Sequence, residues 1–207
     1  AIDNSKVSLA FLHKHIENLS RKSIIKRMKI SLNILLFVSF LVNFASQGQA
    51  SNILPIYIRS EGCNDPGVGG CGTAIIRVNG RDVSKHRRGY NIVVINGKTG
   101  VVESSTSFDT HGNDKADNGM IWHLHNIPQG RLVLVATQDE ASFKMSNSAY
   151  DSLKRFGATN QKRFKFRSSY ALIGWSGYGQ LSAVTQVQRD GYEGPSIIST
   201  VVSMPLL

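Results

Sequence analysis

Unbroken apolar runs are the feature that most constrains how this chain can fold. Residues 92–95 read Ile-Val-Val-Ile, and residues 132–136 read Leu-Val-Leu-Val-Ala. A strand with one face in water alternates apolar and polar residues, whereas a short continuous apolar run is typical of a strand covered on both faces. Both runs are therefore predicted to be buried strands, and residues 170–175 are predicted to form a third.

Shorter signals fill in the rest of the fold. Asn79-Gly80 follows a β-rich run and is a strong hairpin turn signal. Ser146 is a good N-cap for a helix with an apolar stripe, and Asp114 is a candidate N-cap for another helix that ends before Pro128. Strands with short helices between them predict an α+β fold. We expect a compact, two-sheet, mostly antiparallel β sandwich with two or three short helices.

The first 50 residues differ from the rest of the chain. Residues 30–44 are uncharged and largely apolar, follow Met28 and Lys29, and lead into small residues that end at Ala50. A basic start, a short apolar run and a small-residue exit are typical of a secretory signal peptide. We therefore expect residues 1–27 to be a non-native upstream extension, residues 28–50 to be a signal peptide, and residues 51–207 to be a single domain. A signal anchor or a buried helix is the alternative for the apolar run.

Half of the net charge of the chain lies in that leader. The whole chain has a formal net charge of +10, but seven of the Lys and Arg residues and only two of the acids lie in residues 1–50. Binding to nucleic acid requires clustered basic residues, and beyond the leader the sequence has a single short cluster, residues 162–167. A short basic strand edge more often faces solvent and prevents edge pairing. We expect no nucleic-acid partner and no membrane span in the mature chain.

Two cysteines agree with export from the cell. Cys63 and Cys71 lie eight positions apart, on either side of a turn-rich segment. An even number of cysteines in a secreted chain favours a disulfide. The Cys and His pairs of a zinc module are missing from the sequence, so we expect no metal site. Asp109, Asp114 and Asp117 lack the regular alternating pattern of a calcium loop, which leaves calcium a weak alternative.

The sequence gives little support for an enzyme. Neither Ser142 nor Ser146 has a histidine close in sequence, and no Gly-x-Ser-x-Gly motif occurs. Asp139 and Glu140 are adjacent, so on a continuous strand they would point to opposite faces and could not flank one bond. We therefore expect no catalytic residues and no cofactor.

A binding site has more support. Arg88, Asp139 and Arg167 each stand beside an apolar, strand-like run, and Tyr170 follows three residues after Arg167. Guanidinium and carboxylate groups make directional hydrogen bonds to sugar hydroxyls, and an aromatic ring covers the apolar face of a sugar. These four residues are the predicted glycan-binding site. The alternative is that the three charged residues form a structural ion-pair network and that Tyr170 belongs to the core.

The same blocks resemble the interleukin-like EMT inducer and pancreatic-derived factor (ILEI/PANDER) domain family. The resemblance covers roughly residues 72–177 and is carried by Arg88-Gly89-x-Asn91, Gly100, Phe108-Asp109-Thr110, Pro128-x-Gly130, Asp139-Glu140-x-Ser142, Phe156-Gly157 and Phe166-Arg167-x-x-Tyr170. This domain occurs in small secreted cytokine-like proteins, in the cell-migration-inducing hyaluronan-binding protein, and as the stem domain of protein O-mannose β-1,2-N-acetylglucosaminyltransferase.

The resemblance implies a fold of two antiparallel sheets with short helices and no catalytic activity. It also implies a sugar site, because the stem domain looks like a module that recognises N-acetylglucosamine, and Arg88, Asp139 and Arg167 match its charged residues. Tyr170 stands where the stem has tryptophan. We expect a secreted, lectin-like protein whose partners are glycans or glycoproteins at the cell surface or in the matrix. The alternative is a cytokine-like ligand of a cell-surface protein receptor.

Overall fold

The computed structural model describes residues 53–159, 164–177 and 184–204, which all belong to one compact unit, Ser51–Leu207. The predicted upstream extension and signal peptide lie outside the described residues. Within them, no helix has the length and apolar character needed to cross a membrane. The elements in chain order are β1 Ile53–Gly62, β2 Ala74–Val78, β3 Arg81–Asp82, β4 Gly89–Asn96, β5 Val102–Phe108, α1 Ala116–His125, β6 Arg131–Asp139, α2 Asn147–Lys154, β7 Ser169–Trp175, β8 Thr185–Arg189 and β9 Ser196–Ser203.

The strands form two antiparallel sets that are joined through the end of the long strand β1. One set has the order β9-β1-β2-β3 and the other has the order β5-β4-β6-β7-β8. The end of β1 also pairs in parallel with the end of β6, where Glu61 lies opposite Gln138 and Gly62 lies opposite Asp139. The α+β class and the mostly antiparallel pairing are confirmed, as is the presence of two short helices among the described residues.

The prediction of a sandwich of two sheets is not confirmed in detail, because the strands make one curled, mixed sheet. The physical reason is the length of β1. Its ten residues extend beyond β2, which pairs only with residues 56–60, so the last two residues of β1 are free to pair with β6. No sequence pattern distinguishes a strand that ends at its first partner from one that continues onto a second.

The central strands are buried on both faces, as their apolar runs predict. In β4, Val93 and Ile95 face a core shared with β1, β2 and β9, whereas Ile92 and Val94 face a second core that is closed by the helices. Successive side chains of a strand point to opposite faces, so one apolar run supplies both cores. Burying each such side chain fully stabilises the fold by about 1.5–3 kcal/mol.

The helices cover the second core. Met120 and Leu124 of α1 and Ala149 and Leu153 of α2 are fully buried there. The predicted N-cap of α2 is confirmed, because the Ser146 Oγ accepts a hydrogen bond from the backbone N–H of Ala149 at 3.2 Å.

The predicted N-cap of α1 is wrong. The cap residue is Lys115, which makes no side-chain cap bond, while the Asp114 carboxylate is paired with the Lys144 ammonium. An N-cap bond requires the side chain to fold back over its own helix. The lysine that draws the carboxylate away is 30 residues further along the chain.

Candidate functional site

The ends of five strands meet at one end of the sheet, and this is where the charged residues lie. In the registers, Tyr90 at the start of β4 is opposite Phe108 at the end of β5 and opposite Thr137 near the end of β6. The parallel contact adds the end of β1, because Gly62 is opposite Asp139. β7 starts at this same end because it runs antiparallel to β6. The turns and loops that follow or precede these strands therefore converge.

An open cleft of about 520 Å³ lies at this end of the sheet, and we call it the strand-end cleft. Its lining is polar and consists of Arg87, Arg88, Ser107, Asp109, Asn113 and Asp139. Two of the four predicted site residues, Arg88 and Asp139, are therefore brought together. The formal charges of the four ionisable lining side chains cancel, because two arginines face two aspartates.

Arg88 is held by Asp109. Its Nε donates to the Asp109 Oδ1 at 2.9 Å and its Nη2 donates to the Oδ2 at 2.7 Å, which is a bidentate pair. The backbone N–H of Gly112 also donates to the Asp109 Oδ1 at 2.8 Å. The Arg88 hydrogen bonds are the main reason that the pKa of Asp109 is lowered to about 2. Asp109 is therefore a permanent anion near neutral pH, and the Nη1 of Arg88 is not used in this pair.

Asp139 has a different environment. Within the part of the chain that the structure describes, its carboxylate accepts no hydrogen bond and makes no ion pair. Partial burial raises the pKa of the Asp139 carboxyl, and the charges of Arg88 and Arg167 oppose that rise. The structure thus places a partly desolvated carboxylate within electrostatic reach of two guanidinium groups, and neither of them is bonded to it. Such a carboxylate is an acceptor that a bound hydroxyl or amide could use.

Arg167 lies close enough to act on the Asp139 charge, although it is not part of the cleft lining. Its guanidinium carbon is 4.8 Å from the centre of the Phe166 ring, a cation–π geometry. Its Nε is buried, and no described residue accepts a hydrogen bond from it. Phe166 itself is 53% exposed, so the ring and the guanidinium form a surface that a ligand can reach.

The backbone at both charged residues is strained. Asp139 has φ +61° and Arg167 has φ +60°, which is the left-handed region that non-glycine residues seldom adopt. Each such residue costs on the order of 1–2 kcal/mol. Strain of this kind persists only where neighbouring contacts enforce it, and it is concentrated at functional sites in proteins.

Two neighbouring residues enforce the backbone at Arg167. The buried Glu140 carboxylate accepts from the backbone N–H of Arg167 and from both the N–H and the hydroxyl of Ser142. Gly62 packs so closely that a Cβ at this position would lie 2.0 Å from the carbonyl oxygen of Arg167. Glu140 therefore has a structural role, and β6 ends at Asp139 rather than continuing through Glu140.

Tyr170 does not join the site. Its side chain is 1% exposed and packs in the core against the ring of Phe164, with 5.0 Å between ring centres, and its hydroxyl donates to Gln186 at 3.1 Å. The prediction that Tyr170 offers an aromatic platform is wrong, because no face of its ring reaches solvent. The alternative from the sequence, that Tyr170 is a core residue, describes it correctly. The other part of that alternative, an ion-pair network of Arg88, Asp139 and Arg167, is not formed among the described residues, since Arg88 is paired with Asp109.

Sequence reasoning missed Asp109 as the partner of Arg88. The signal was available: the turn at residues 97–100 joins two antiparallel strands, and counting back from it places residue 88 opposite residues 109–110. As a possible ligand-binding residue, Asp109 entered the predictions only with Asp114 and Asp117, as a calcium alternative. In the structure these acids do not converge, because Asp114 pairs with Lys144 and Asp117 accepts from the N–H of Asn118.

His111 and Phe143 were also missed. His111 acts electrostatically on Asp139, and its buried Nδ1 has no hydrogen-bond partner among the described residues. Its ring is 5.4 Å from that of Phe143, which is 69% exposed. Thr110 joins the two loops, because its hydroxyl donates to the carbonyl of Ala141 at 2.8 Å. A second exposed ring therefore stands on a loop next to the site.

The predicted disulfide is confirmed, since Cys63 and Cys71 are bonded to each other. The two sulfur atoms and the Asp139 carboxylate lie within 4.8 Å of one another. Both sulfurs are in the disulfide, so this group is not a set of thiolate ligands for a metal. The bridge instead closes the loop that follows β1 against the end of β6, where the N–H of Cys63 donates to the carbonyl of Asp139 at 3.2 Å.

Comparison with known families finds one family model that covers this region. The family model described as interleukin-like EMT inducer matches residues 88–178, a range that begins at Arg88 and contains Asp109, Asp139 and Arg167. The predicted resemblance is therefore confirmed, and the matched range contains the elements from β4 to β7.

Curated proteins with similar sequences include human protein FAM3D, which is 32% identical over 124 residues that make up 57% of this chain and 54% of the relative. Rat protein FAM3C is 31% identical over 57% of this chain and 54% of the relative. The mouse cell migration-inducing and hyaluronan-binding protein is 28% identical over 52% of this chain but only 8% of the relative. The chain thus spans about half the length of the FAM3 relatives and a small part of the third protein.

Proposed function

We propose that the chain is an extracellular recognition protein without enzymatic activity, which binds a neutral glycan at the strand-end cleft. The observation that carries the proposal is the Asp139 carboxylate, which has no partner among the described residues and is partly desolvated at the cleft beside Arg88. Sugar hydroxyls both donate and accept hydrogen bonds, so one sugar ring can donate to Asp139 and accept from the free Nη1 of Arg88.

The charge balance of the cleft supports a neutral ligand. Arg87 and Arg88 face Asp109 and Asp139, so the lining carries no net formal charge. A sulfated or uronic-acid glycan would meet two carboxylates together with the arginines. N-acetylglucosamine is neutral and has hydroxyl and amide donors for Asp139, which is consistent with the sugar that the family resemblance implies.

The aromatic surface comes from residues other than Tyr170. Phe166 lies beneath the Arg167 guanidinium and Phe143 lies against His111, and both rings are more than half exposed. A sugar that donates to Asp139 can place its C–H face on one of these rings, which is the contact that the sequence had assigned to Tyr170.

We expect the site to bind the glycan without hydrolysing it. Hydrolysis of a glycosidic bond requires one carboxylic acid that can give a proton near neutral pH and a second carboxylate across the bond. The Arg88 guanidinium keeps the pKa of Asp109 at about 2, so Asp109 cannot act as that acid. Incubating labelled N-acetylglucosamine oligosaccharides with the protein should therefore release no product, and any turnover would contradict this part of the proposal.

Calorimetric titration with oligosaccharides ending in N-acetylglucosamine tests the site. Asp139→Asn should weaken binding roughly ten- to a hundred-fold, because hydrogen bonds to a charged group contribute about 1.5–3 kcal/mol. Phe166→Ala should weaken it as well. Tyr170→Phe should leave affinity unchanged, since the ring is in the core. Asp151→Asn is the matched control, because this exposed acid on α2 is paired with Lys154. Equal binding by Asp139→Asn and wild type would refute the site.

A second candidate is a cytokine-like ligand of a cell-surface protein receptor. It is favoured by the match to the interleukin-like EMT inducer family and by similarity to the FAM3 proteins. The two candidates separate in a cell-binding assay with fluorescent protein. Loss of binding after enzymatic removal of surface glycans supports the glycan ligand. Binding that survives glycan removal but is lost after mild protease treatment supports a protein receptor.

A further inference from the structure

The β9 strand differs from the other strands at the margins of the sheet. It pairs with β1 at all eight of its positions, and no described strand pairs with its other side. Its sequence, Ser-Ile-Ile-Ser-Thr-Val-Val-Ser, contains no charged residue, no glycine and no proline. An edge strand exposes unpaired backbone N–H and C=O groups, so an uncharged edge of this length is a template on which another strand can pair.

The remaining marginal strands of the described sheet are protected in the usual ways. β3 is two residues long and both, Arg81 and Asp82, are exposed. β5 carries Glu103 in an ion pair with Arg131, and β8 ends in the exposed Arg189. Short length and charge are the means by which proteins prevent edge pairing. β9 has neither form of protection, which indicates that its free edge is a binding surface.

The outward face of β9 is apolar. Ile197 is 40% exposed and Val201 is 54% exposed, and Ser199 stands between them on the same face. The neighbouring strand extends this face, since Ile53 of β1 is 51% exposed. A shallow groove of about 540 Å³ lies beside it and is lined in part by Tyr57, Ser199 and Val201. Large apolar side chains gathered on one open surface mark a site of protein contact.

We propose that the β9 edge is a homodimer interface, in which two copies of this chain pair their β9 strands in antiparallel fashion. A two-fold axis perpendicular to the sheet passes beside Ser199 and makes it face its own copy. Ile197 then lies opposite Val201 of the other copy, and Val201 lies opposite Ile197 of the other copy. The exposed apolar side chains therefore pack against each other at two symmetry-related positions. An isologous contact of this kind needs a self-complementary surface, and the β9 face is one.

The symmetric register is selected by packing. Shifting the axis by one residue, to Thr200, would place Ile197 opposite Ser203 and Ser199 opposite Val201, which separates the apolar side chains. With the axis at Ser199, opposite side chains have Cβ atoms about 5 Å apart, close enough for direct contact between Ile and Val. The interface is small, so we expect a dissociation constant of about 10 µM rather than an obligate dimer.

Charges at the two-fold axis test the proposal. Ser199 is exposed, so both Ser199→Lys and Ser199→Glu should fold normally, and urea unfolding of each variant checks this. In sedimentation equilibrium the wild-type chain should form a dimer. Each variant should have a dissociation constant raised at least about tenfold, because like charges placed together at an interface cost several kcal/mol. Mixing the two variants in equal amounts should restore a heterodimer.

A lysine on another margin is the control. Thr185→Lys places the same charge on an exposed position of β8 and should leave the dimer intact. A wild-type chain that stays monomeric at about 100 µM, tenfold above the expected dissociation constant, would overturn the proposal. So would a dimer that survives both Ser199 variants, or a mixture of the two that remains monomeric.

Discussion

Replacing Arg88 with alanine should raise the pKa of Asp109 from about 2 towards its ordinary value of 3.8. The two hydrogen bonds from the guanidinium are the largest reason for the lowered pKa, and both are lost in Arg88→Ala. The rise should be incomplete, because the backbone N–H groups of His111 and Gly112 still donate to the carboxylate. This pair forms one wall of the strand-end cleft, so the experiment tests the geometry on which the proposed binding rests.

The energetic consequence follows from the size of the pKa shift. A shift from 3.8 to about 2 corresponds to roughly 2.4 kcal/mol at about 1.36 kcal/mol per unit. The two side chains are 41% and 37% exposed, so solvent screening reduces the net contribution to about 1 kcal/mol.

The sign of the pH dependence is set by the direction of the shift. The folded-state pKa of Asp109 is lower than its unfolded value, so the stabilisation is present above about pH 4 and is lost as the pH falls towards 2. The wild-type free energy of unfolding should therefore fall by about 1 kcal/mol more than that of Arg88→Ala across this window.

Carboxyl-carbon NMR titration measures the pKa directly, and urea unfolding at about pH 6 and pH 2.5 measures the linked stability. Arg131→Ala is the matched control, since Arg131 lowers the pKa of Glu103 elsewhere on the sheet. That variant should raise the pKa of Glu103 and leave Asp109 unchanged. The reasoning is refuted if Asp109 of the wild type titrates at its ordinary value, or if its pKa is the same with and without Arg88.

Three further changes test the framework of the site by urea unfolding. Gly62→Ala forces a Cβ to within 2.0 Å of the Arg167 carbonyl oxygen and should cost about 2–4 kcal/mol, since backbone must move; an unchanged midpoint would contradict this close approach. Ser146→Ala removes the N-cap of α2 and should cost about 1 kcal/mol, and a loss below a few tenths would show that the cap bond is not formed in solution. Replacing Cys63 and Cys71 together with serine opens a short loop and should cost about 2 kcal/mol, whereas a reducing agent should lower the stability of the wild type alone.

Local sequence patterns predicted much of the fold because the interactions behind them are local. The apolar run at residues 92–95 identified a strand buried on both faces, since successive side chains supply opposite cores. Ser146 identified a helix start, because its cap bond reaches only three residues along the chain. The pairing of Cys63 with Cys71 was also within reach, because the two residues flank one turn-rich segment.

The candidate site was predicted only in part, because its contacts join residues that are distant in the sequence. Arg88 and Asp139 were singled out as charges at the ends of buried strands, and antiparallel pairing brings such ends together. The partner of Arg88 was missed because it lies across a hairpin, 21 residues away. Tyr170 was misassigned because spacing along the chain does not say which side of a strand will be covered by Phe164 and the helices.

The sequence by itself determined the buried central strands, the start of α2, where one disulfide closes, and which family residues 88–178 resemble. Only the tertiary structure decided that β1 joins the two strand sets and that Tyr170 is buried. It also decided that Asp109 holds Arg88 and that Asp139 has no partner among the residues the structure describes. The difference is physical. Secondary structure follows from contacts between near neighbours in the chain. Burial and charge pairing, by contrast, depend on which distant segments share the same space, and many sequences with the same local patterns could distribute those contacts differently.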